Sequence, residues 1–420
     1  MSDILGILTI HGRPPRVSTL WSGRVINRTQ SILAPPLAGK PHAAWTVLTS
    51  LSVLLLPLPL RAPATPDPQG VELIRSDQWH LGYLHTVEAQ KISRGKGVTV
   101  ALPDTGVEKH PDLQNNLRPG TDIISDGTGD GRADASSHGT GMAGLIAAHG
   151  RSNTTGALGL APEASILPIR IQISDTEGDS DNLADGIQYA ITRGAEVVSV
   201  SSVAGPNPNL RRAVEAAIRA DILIVAAAGN RPRDQSVSFP AAYPGVIAVG
   251  GVDRNGNHAA VSVTGPEIDV VAPAVDIYST SLNGKYRKGT GTSDATAIVA
   301  GAAALIRSKY PYLPAQEVAH RLTATAIDKG PPGRDDEYGY GVIDLVAALT
   351  ADVPPLGFES ASAPTGGGPT TTAGARPGSD DNGATVRGLA TLGVIMAAGV
   401  GWALVVRRRR RDDPPPRISR

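Results

Sequence analysis

The chain has no cysteine among its 420 residues. This absence excludes a disulfide framework and every metal site that needs a thiolate ligand, including cysteine-bound zinc. The sequence also lacks an excess of either charge, because 39 basic residues balance 39 acidic ones. Net charge therefore indicates neither a nucleic acid nor an acidic substrate as a partner. Internal repeats are absent as well. With 41% hydrophobic and 19% charged residues, the composition is that of a globular protein.

Residues 42–60 form the first of two long uncharged segments, and Ala62-Pro63-Ala64 follows it. Small residues at this spacing are typical of a signal-peptidase site, so we expect residues 1–64 to be an N-terminal extension with a signal or hydrophobic segment. The basic stretch before the segment is long for a signal peptide. An uncleaved anchor, or a true start downstream of Met1, therefore stays open. A buried core helix is disfavoured because Pro57 and Pro59 would break it.

Residues 388–406 form the second uncharged segment, and its length matches a helix that crosses a bilayer. Arg407–Arg411 follow at once. Basic residues beside a span mark its cytoplasmic side, so we expect residues 407–420 to be a cytoplasmic tail and the bulk of the chain to lie outside the cell. A nucleic-acid patch is the disfavoured alternative for these arginines. Residues 353–387 are rich in Pro, Gly, Ser and Thr and are predicted to be a flexible linker.

Residues 65–95 are interpreted as a short extension of the mature chain, and residues 96–352 as one domain. In this domain β-rich apolar runs alternate with helical patterns, for example "GVTVAL" followed by "HGTGMAGLIAAH". Such alternation predicts an α/β fold in which helices cover both faces of a mostly parallel sheet. Leu183, Ile187 and Ile191 recur at four-residue spacing, as one packed helix face requires.

Three residue types that together support nucleophilic catalysis occur in separate motifs of this domain. Asp104 ends an apolar strand-like run and precedes Gly106, His138 begins an Ala- and Gly-rich helix, and Ser293 begins another helix. Taken alone, each is more often a cap or a structural residue. Together they supply a nucleophile, a base that activates it and a carboxylate that orients the base. His110 is interpreted as an ordinary loop residue.

A fourth residue, Asn230, follows another apolar run, "ILIVAAAGN". Its side-chain amide could donate a hydrogen bond to the oxyanion of a tetrahedral intermediate. The backbone N–H of Ser293, at the positive end of a helix, would be a second donor.

The order and spacing of four motifs resemble the subtilisin-like serine proteases, or subtilases. The motifs are Asp104-Thr-Gly, His138-Gly-Thr-Gly-Met-Ala-Gly, Ala228-Gly-Asn230 and Gly291-Thr-Ser293. The resemblance covers roughly Gln78 to Leu349 and implies a subtilisin-like three-layer fold. It implies that Asp104 orients His138, that His138 acts as general base and then acid, that Ser293 attacks the peptide carbonyl, and that Asn230 binds the oxyanion.

The resemblance also implies that "SVSSVAGP" is the strand with which the substrate backbone pairs. Four residues would then border the pocket for the residue before the scissile bond, namely Ser202, Val203, Ala204 and Gly205. Many relatives have glycine where Ala204 stands. We therefore expect a narrowed pocket that prefers small or medium side chains, and a peptide-library profile led by large aromatics would contradict this.

Signal segment, short extension, subtilase domain, linker, single span and basic tail together resemble the mycosins, membrane-anchored subtilases associated with type VII secretion. The resemblance implies a single-pass cell-membrane protein with an extracytoplasmic catalytic domain. Its expected partners are a protein or peptide substrate, the membrane and the type VII secretion machinery, and no nucleic acid. A catalytically idle scaffold of a membrane complex and a general surface-scavenging protease are the alternatives.

No cofactor is required by this chemistry, and no metal site is predicted. Residues 126–134 have Asp126, Thr128 and Asp130 at alternate positions, as in a calcium loop, but Ser137 stands where a bidentate Glu would be needed. An acidic, Gly-rich surface loop is the better interpretation. Many subtilases bind structural calcium, for which no ligands can be assigned here.

Asp294, directly after Ser293, occupies a place where many subtilases have Met, and Ala297 replaces a common Pro. An acid is favourable in the first turn of a helix, but its charge would oppose an oxyanion that it faced. We expect Asp294 to point away, toward solvent or a hydrogen-bond donor. Its replacement by Asn is then expected to change the catalytic rate little.

Overall fold

The computed structural model describes residues 68–125, 128–174 and 178–357. The strands within these residues are β1 (Thr99–Asp104), β2 (Thr121–Asp122), β3 (Ser165–Arg170), β4 (Val197–Val200), β5 (Leu223–Ala227), β6 (Ile247–Val252), β7 (Val270–Pro273), β8 (Ile277–Thr280) and β9 (Tyr286–Gly289). The α-helices are α1 (Pro68–Asp77), α2 (Trp79–Tyr83), α3 (Thr86–Ile92), α4 (His138–Ala147), α5 (Ser180–Thr192), α6 (Pro208–Arg219), α7 (Thr292–Lys309), α8 (Ala315–Ala324) and α9 (Leu345–Thr350).

The main sheet has the strand order β2-β3-β1-β4-β5-β6-β7, and all of its neighbouring strands are parallel. Strands β4 to β7 are buried along their whole length. Runs of Val, Ile and Ala are expected in strands that are covered on both faces. Strands β8 and β9 form a separate antiparallel pair. The predicted α/β fold with a mostly parallel sheet is confirmed.

Helices cover both faces of this sheet. The chain steps from β1 to β3 in one direction and then from β3 to β4 and β5 in the other. Because such crossovers are right-handed, α4 lies on one face while α5 and α6 lie on the opposite one. Helix α4 packs against α7, and α5 packs against α6. Leu183 and Ile187 of α5 are fully buried and Ile191 is partly buried, as their spacing predicts.

Helix α7 runs through the interior, in contact with β4, β5, β6, β7 and α4. It is buried from Asp294 to Arg307, whereas Ser293 near its start is only partly buried. A Cβ atom at Gly301 would lie 2.9 Å from Leu160 Cβ and 3.6 Å from Ile146 Cα. The glycine therefore lets α7 approach α4 closely, which brings the N-terminal ends of both helices to one edge of the domain.

Residues 68–92, within the predicted N-terminal extension, form helices that are hydrogen-bonded to the rest of the domain. Gln78 Nε2 donates to Leu158 O at 3.0 Å, and Gln90 Nε2 donates to Gly159 O at 2.8 Å. Trp79 Nε1 donates to Val275 O at 3.1 Å. This segment thus packs against one side of the domain.

No helix in the described ranges is long and apolar enough to span a membrane. The predicted transmembrane helix at 388–406, the basic tail at 407–420 and the signal segment in 1–64 lie outside those ranges. So does the predicted linker, except for its first residues up to 357.

Candidate active site

The predicted acid, Asp104, ends strand β1 and is fully buried. Its Oδ1 accepts hydrogen bonds from Thr105 N at 2.7 Å and from His138 Nδ1 at 2.8 Å. The chain then turns at Gly106, which has a φ of +100°. A Cβ atom there would lie 2.1 Å from Ala133 O, so the turn requires glycine both for its backbone conformation and for space.

The predicted base, His138, is the first residue of α4 and is 7% exposed. Because a carboxylate only accepts hydrogen bonds, Nδ1 carries the proton that is shared with Asp104. Burial alone would lower the pKa of His138, but the negative charge of Asp104 and its hydrogen bond outweigh burial, so the pKa lies above its ordinary value. The structure thus brings two of the predicted residues into direct contact.

Asp134 fixes the start of α4 and is a residue that sequence reasoning missed. Its Oδ1 accepts from Ser136 N and Ser137 N at 2.9 and 3.0 Å, and its Oδ2 accepts from Thr140 N at 3.0 Å. Its Oδ1 also accepts from Thr105 Oγ1 at 2.9 Å. One carboxylate therefore binds the free N–H groups of the helix start and ties them to the residue after Asp104. The available signal was an acid four residues before the helix.

Small residues in α4 allow its neighbours to approach. A Cβ atom at Gly139 would lie 3.1 Å from Asp104 Oδ1, and one at Gly141 would lie 2.6 Å from Arg287 Nη1. The glycines that follow His138 in "HGTGMAG" therefore leave space for the Asp104 carboxylate on one side and the Arg287 guanidinium on the other.

The predicted nucleophile, Ser293, is the second residue of α7, whose N-cap residue Gly291 provides no side-chain cap. Its carbonyl accepts a hydrogen bond from Ser201 Oγ, just beyond β4, at 3.1 Å. Its N–H belongs to the first turn of the helix, where N–H groups have no intrahelical carbonyl partner. A Cβ atom at Gly291 would lie 3.4 Å from Ser293 Oγ and 3.2 Å from Asn230 Nδ2. The absence of that side chain keeps the space between both groups open.

Asn230 lies shortly beyond the end of β5. Its Oδ1 accepts hydrogen bonds from Thr292 N at 2.8 Å and Thr292 Oγ1 at 3.1 Å. With Oδ1 bound in this way, Nδ2 is turned toward the space beside Ser293. Asp104, Ser201 and Asn230 follow or end neighbouring parallel strands, so all of these groups lie at the carboxyl edge of the sheet, where such folds bind ligands.

The predicted substrate segment, Ser202 to Gly205, follows β4 but is not a continuation of that strand. Ala204 N donates to Phe239 O at 2.9 Å, and Val203 O accepts from Gly178 N at 3.0 Å. Ser202, Val203 and Ala204 are each 6% exposed. Some backbone groups expected to pair with substrate are therefore already bonded within the domain. The substrate-binding role of the four residues, and the small-residue preference, stay predictions.

Asp294 was expected to point away from the oxyanion, toward solvent or a hydrogen-bond donor. The solvent alternative is wrong, because the residue is only 2% exposed. Its Oδ1 is buried without a hydrogen-bond partner. Burial raises the pKa of its carboxyl, while the nearby charges of Arg287 and His138 act in the opposite direction. Strand β9 lies against this acid, since a Cβ atom at Gly289 would be 2.7 Å from Asp294 Oδ2.

The acidic loop at 126–134 is described only in part, so its interpretation as a surface loop without calcium stays a prediction. Asp126 lies outside the described residues. Asp130 forms an ion pair with Arg132 at 3.6 Å, and Asp134 is committed to the start of α4. No cluster of three or more His or acidic residues suited to a metal occurs in the described ranges.

His110 is not the ordinary loop residue that its sequence suggests, since it is 1% exposed. Its Nδ1 accepts from Asp112 N at 3.0 Å, so its Nε2 donates to Lys285 O, also at 3.0 Å.

The chain is similar in sequence to known proteins. The model of the subtilase family matches residues 95–341. Subtilisin DY of Bacillus licheniformis is 39% identical over 287 residues, which cover 67% of this chain and 98% of that protein. Subtilisin E of Bacillus subtilis is 38% identical over 288 residues, covering 67% of this chain and 71% of that protein.

Solved structures show the same likeness. MycP1 from Mycobacterium smegmatis aligns with a TM-score of 0.59 and 32% identity, covering 66% of this chain and 85% of that one. The MycP3 protease from the type VII (ESX-3) secretion system aligns with a TM-score of 0.57 and 33% identity, covering 69% and 90% of the two chains.

Proposed function

Because the chain belongs to the subtilase family of serine endopeptidases, we propose that it cleaves peptide bonds with Ser293 as nucleophile, His138 as base and Asp104 as the orienting carboxylate. The observation that carries this proposal is the 2.8 Å hydrogen bond between His138 Nδ1 and Asp104 Oδ1, both buried. With the Nδ1 proton committed to Asp104, the lone pair of Nε2 is available for the hydroxyl proton of Ser293.

In the first step, Ser293 Oγ attacks the peptide carbonyl carbon while its proton moves to His138 Nε2. The imidazolium then gives this proton to the departing amine, and the C–N bond breaks to leave an acyl-enzyme. A water molecule repeats the sequence, with His138 again as base, and releases the acid. Asp104 keeps its charge throughout and stabilises the imidazolium.

The developing oxyanion would accept hydrogen bonds from Asn230 Nδ2 and from the backbone N–H of Ser293. The contact of Asn230 Oδ1 with Thr292 N, at 2.8 Å, supports this arrangement because it fixes the amide orientation before substrate arrives. Donors that are already in place need no reorganisation during the reaction.

A fluorophosphonate probe, which phosphonylates activated serines, tests the assignment. We expect wild-type protein to be labelled and Ser293→Ala to be unlabelled. Ser308→Ala is the matched control, because Ser308 lies at the other end of α7 and bonds only to Lys96 O. Folded wild-type protein that shows no Ser293-dependent labelling would defeat the catalytic assignment and favour the idle scaffold.

The proposed setting is the extracytoplasmic face of the cell membrane, next to a type VII secretion system. The likeness to MycP1 and MycP3 supports the association with secretion. The uncharged segment 388–406 and Arg407–Arg411 support a single-pass anchor. External protease treatment of intact cells tests this topology: we expect loss of the catalytic domain and protection of the tail, and the opposite pattern would reject it.

A further inference from the structure

An arginine and an acid, Arg287 and Asp294, lie close enough to act on His138, and they form no direct ion pair with each other. Arg287 Nη1 and Asp294 Oδ1 are both buried and both lack a hydrogen-bond partner. Leaving a buried charge without a partner is costly, and neighbouring opposite charge is the usual compensation.

Two neighbouring glycines show where Arg287 and Asp294 lie. A Cβ atom at Gly289 would lie 2.6 Å from Arg287 Nη2 and 2.7 Å from Asp294 Oδ2. The guanidinium and the carboxyl group therefore both lie close to Gly289. A Cβ atom at Gly141 would lie 2.6 Å from Arg287 Nη1. Since Gly141 is three residues after His138, the guanidinium lies against the first turn of α4.

The β8–β9 hairpin holds Arg287 in this place. Ser279 is the register partner of Arg287, and its Oγ donates to Gly141 O at 2.6 Å. Thr280 Oγ1 donates to Thr140 O at 2.7 Å. Two hydroxyls of β8 thus fasten the hairpin to the helix that begins at His138, and β9 delivers its arginine between that helix and α7.

The charged groups that act on His138 come from three elements: Asp104 from β1, Arg287 from β9 and Asp294 from α7. Arg287 disfavours the imidazolium, and Asp294 favours it. Asp294 is itself acted on by burial, which favours its neutral form, and by Arg287 and His138, which favour its ionised form. Burial is the largest of these influences and the pKa of Asp294 is raised, so its ionised form depends on the opposing charges of Arg287 and His138.

We propose that Asp294 is a positioning residue for the reaction, a second carboxylate that stabilises the imidazolium of His138 and that Arg287 keeps ionised. The inference rests on the proposed function, in which a proton moves from Ser293 Oγ to His138 Nε2. Asp294 forms and breaks no bond; it lowers the cost of the positive charge that the proton brings.

The pH profile of kcat/KM tests the proposal. Removing the negative charge with Asp294→Asn makes the imidazolium less stable, so the acidic limb is expected to move to lower pH by about half a unit. The rate on the alkaline plateau should change little. Asp269→Asn is the matched control, because Asp269 is a partly buried carboxylate with a raised pKa that does not act on His138. Its limb is expected to stay in place.

A second arm tests the role of Arg287. In an Arg287→Met background the carboxyl of Asp294 is expected to be protonated, so adding Asp294→Asn should move the limb by less than half as much as in wild type. Equal shifts in both backgrounds would overturn the role of Arg287. If the acidic limb of the pH profile stays in place in Asp294→Asn while Ser293-dependent labelling is intact, the role of Asp294 is overturned but the proposed function is not. Loss of that labelling in wild type would instead defeat the proposed function.

Discussion

Two buried histidines, His138 and His110, each have a carboxylate nearby, yet their pKa values shift in opposite directions. His138 Nδ1 lies 2.8 Å from Asp104 Oδ1, and its pKa is raised. His110 Nδ1 lies 3.9 Å from Asp112 Oδ2, and its pKa is lowered. For His110 burial is the largest influence, and the charge of Asp112 does not overcome it.

The two carboxylates also differ in what else they bind. Asp112 accepts hydrogen bonds from Arg151 Nε at 2.9 Å, Tyr286 Oη at 2.9 Å and Ala157 N at 2.7 Å. Its charge is therefore partly neutralised by an arginine, which also acts directly against protonation of His110. No cation within the described ranges forms an ion pair with Asp104 other than His138 itself.

The two histidines also differ in the hydrogen bonds of their ring nitrogens. Both ring nitrogens of His110 are engaged, whereas no described residue is hydrogen-bonded to Nε2 of His138. A histidine becomes a usable base when its carboxylate is bonded directly and carries its full charge, and when the opposite nitrogen is left for the substrate side. Proximity of an acid is insufficient.

The largest expected effect comes from removing the carboxylate of Asp104. Asp104→Asn can donate to His138 Nδ1 and so favours the wrong tautomer, and we expect kcat to fall by about 10⁴-fold. Measurement of kcat on a peptide substrate checks this. Asp112→Asn is the matched control, which should lower the melting temperature while changing kcat only a few-fold. Equal losses of kcat in the two variants would erase the distinction between the two pairs.

The next largest effect is expected at the oxyanion, which forms when His138 Nε2 takes the proton of Ser293 and the serine attacks. Asn230→Ala removes one of the two proposed oxyanion donors, and we expect kcat to fall by about 10² to 10³-fold with KM little changed. Steady-state kinetics on the same peptide separates the two parameters. Asn209→Ala, at an exposed asparagine in α6, is the control. A rise in KM at constant kcat would show that Asn230 binds the ground state and the transition state equally.

A third histidine, His80, shows what burial does without any acid. It is fully buried, neither ring nitrogen has a partner, and burial lowers its pKa to about 3. Between the unfolded pKa of about 6.5 and the folded one, only the unfolded chain binds a proton at this site. The associated stability is therefore complete above pH 6.5 and is lost progressively as the pH falls toward 3.

Replacing His80 by Leu is expected to remove this part of the pH dependence. Below pH 6.5 the free energy of unfolding of wild type should fall by about 1.4 kcal/mol per pH unit more steeply than that of His80→Leu. Denaturant unfolding at several pH values gives the slopes. Parallel slopes for the two proteins would mean that His80 takes up a proton in the folded state, as the partnered His138 does.

Much of the fold and of the site could be predicted from the sequence, since local patterns carry them. Apolar runs marked β1, β4 and β5, and the small-residue patterns marked α4 and α7. Asp104 ends β1, His138 begins α4 and Asn230 follows β5, and parallel strands bring their carboxyl ends to one edge.

Residues whose roles depend on distant partners escaped prediction. Asp134 lies in a Gly-rich loop, and its contact with Thr105 joins residues 29 positions apart in the sequence. Asp294 is an acid in the first turn of a helix, where an exposed position is usual. It is buried because the β8–β9 hairpin brings Arg287 over it. These contacts are set by tertiary packing, which residue periodicity does not encode.

We propose that Ser293 alone is the activated nucleophile, with His138 as its base and Asp104 as the orienting carboxylate. Reaction of the folded wild-type protein with a fluorophosphonate, followed by peptide mass spectrometry, locates the adduct and so tests this assignment. We predict one adduct, on the peptide that contains Ser293, and a much lower yield in Asp104→Asn. An adduct on another serine, or an undiminished yield in Asp104→Asn, would contradict the account.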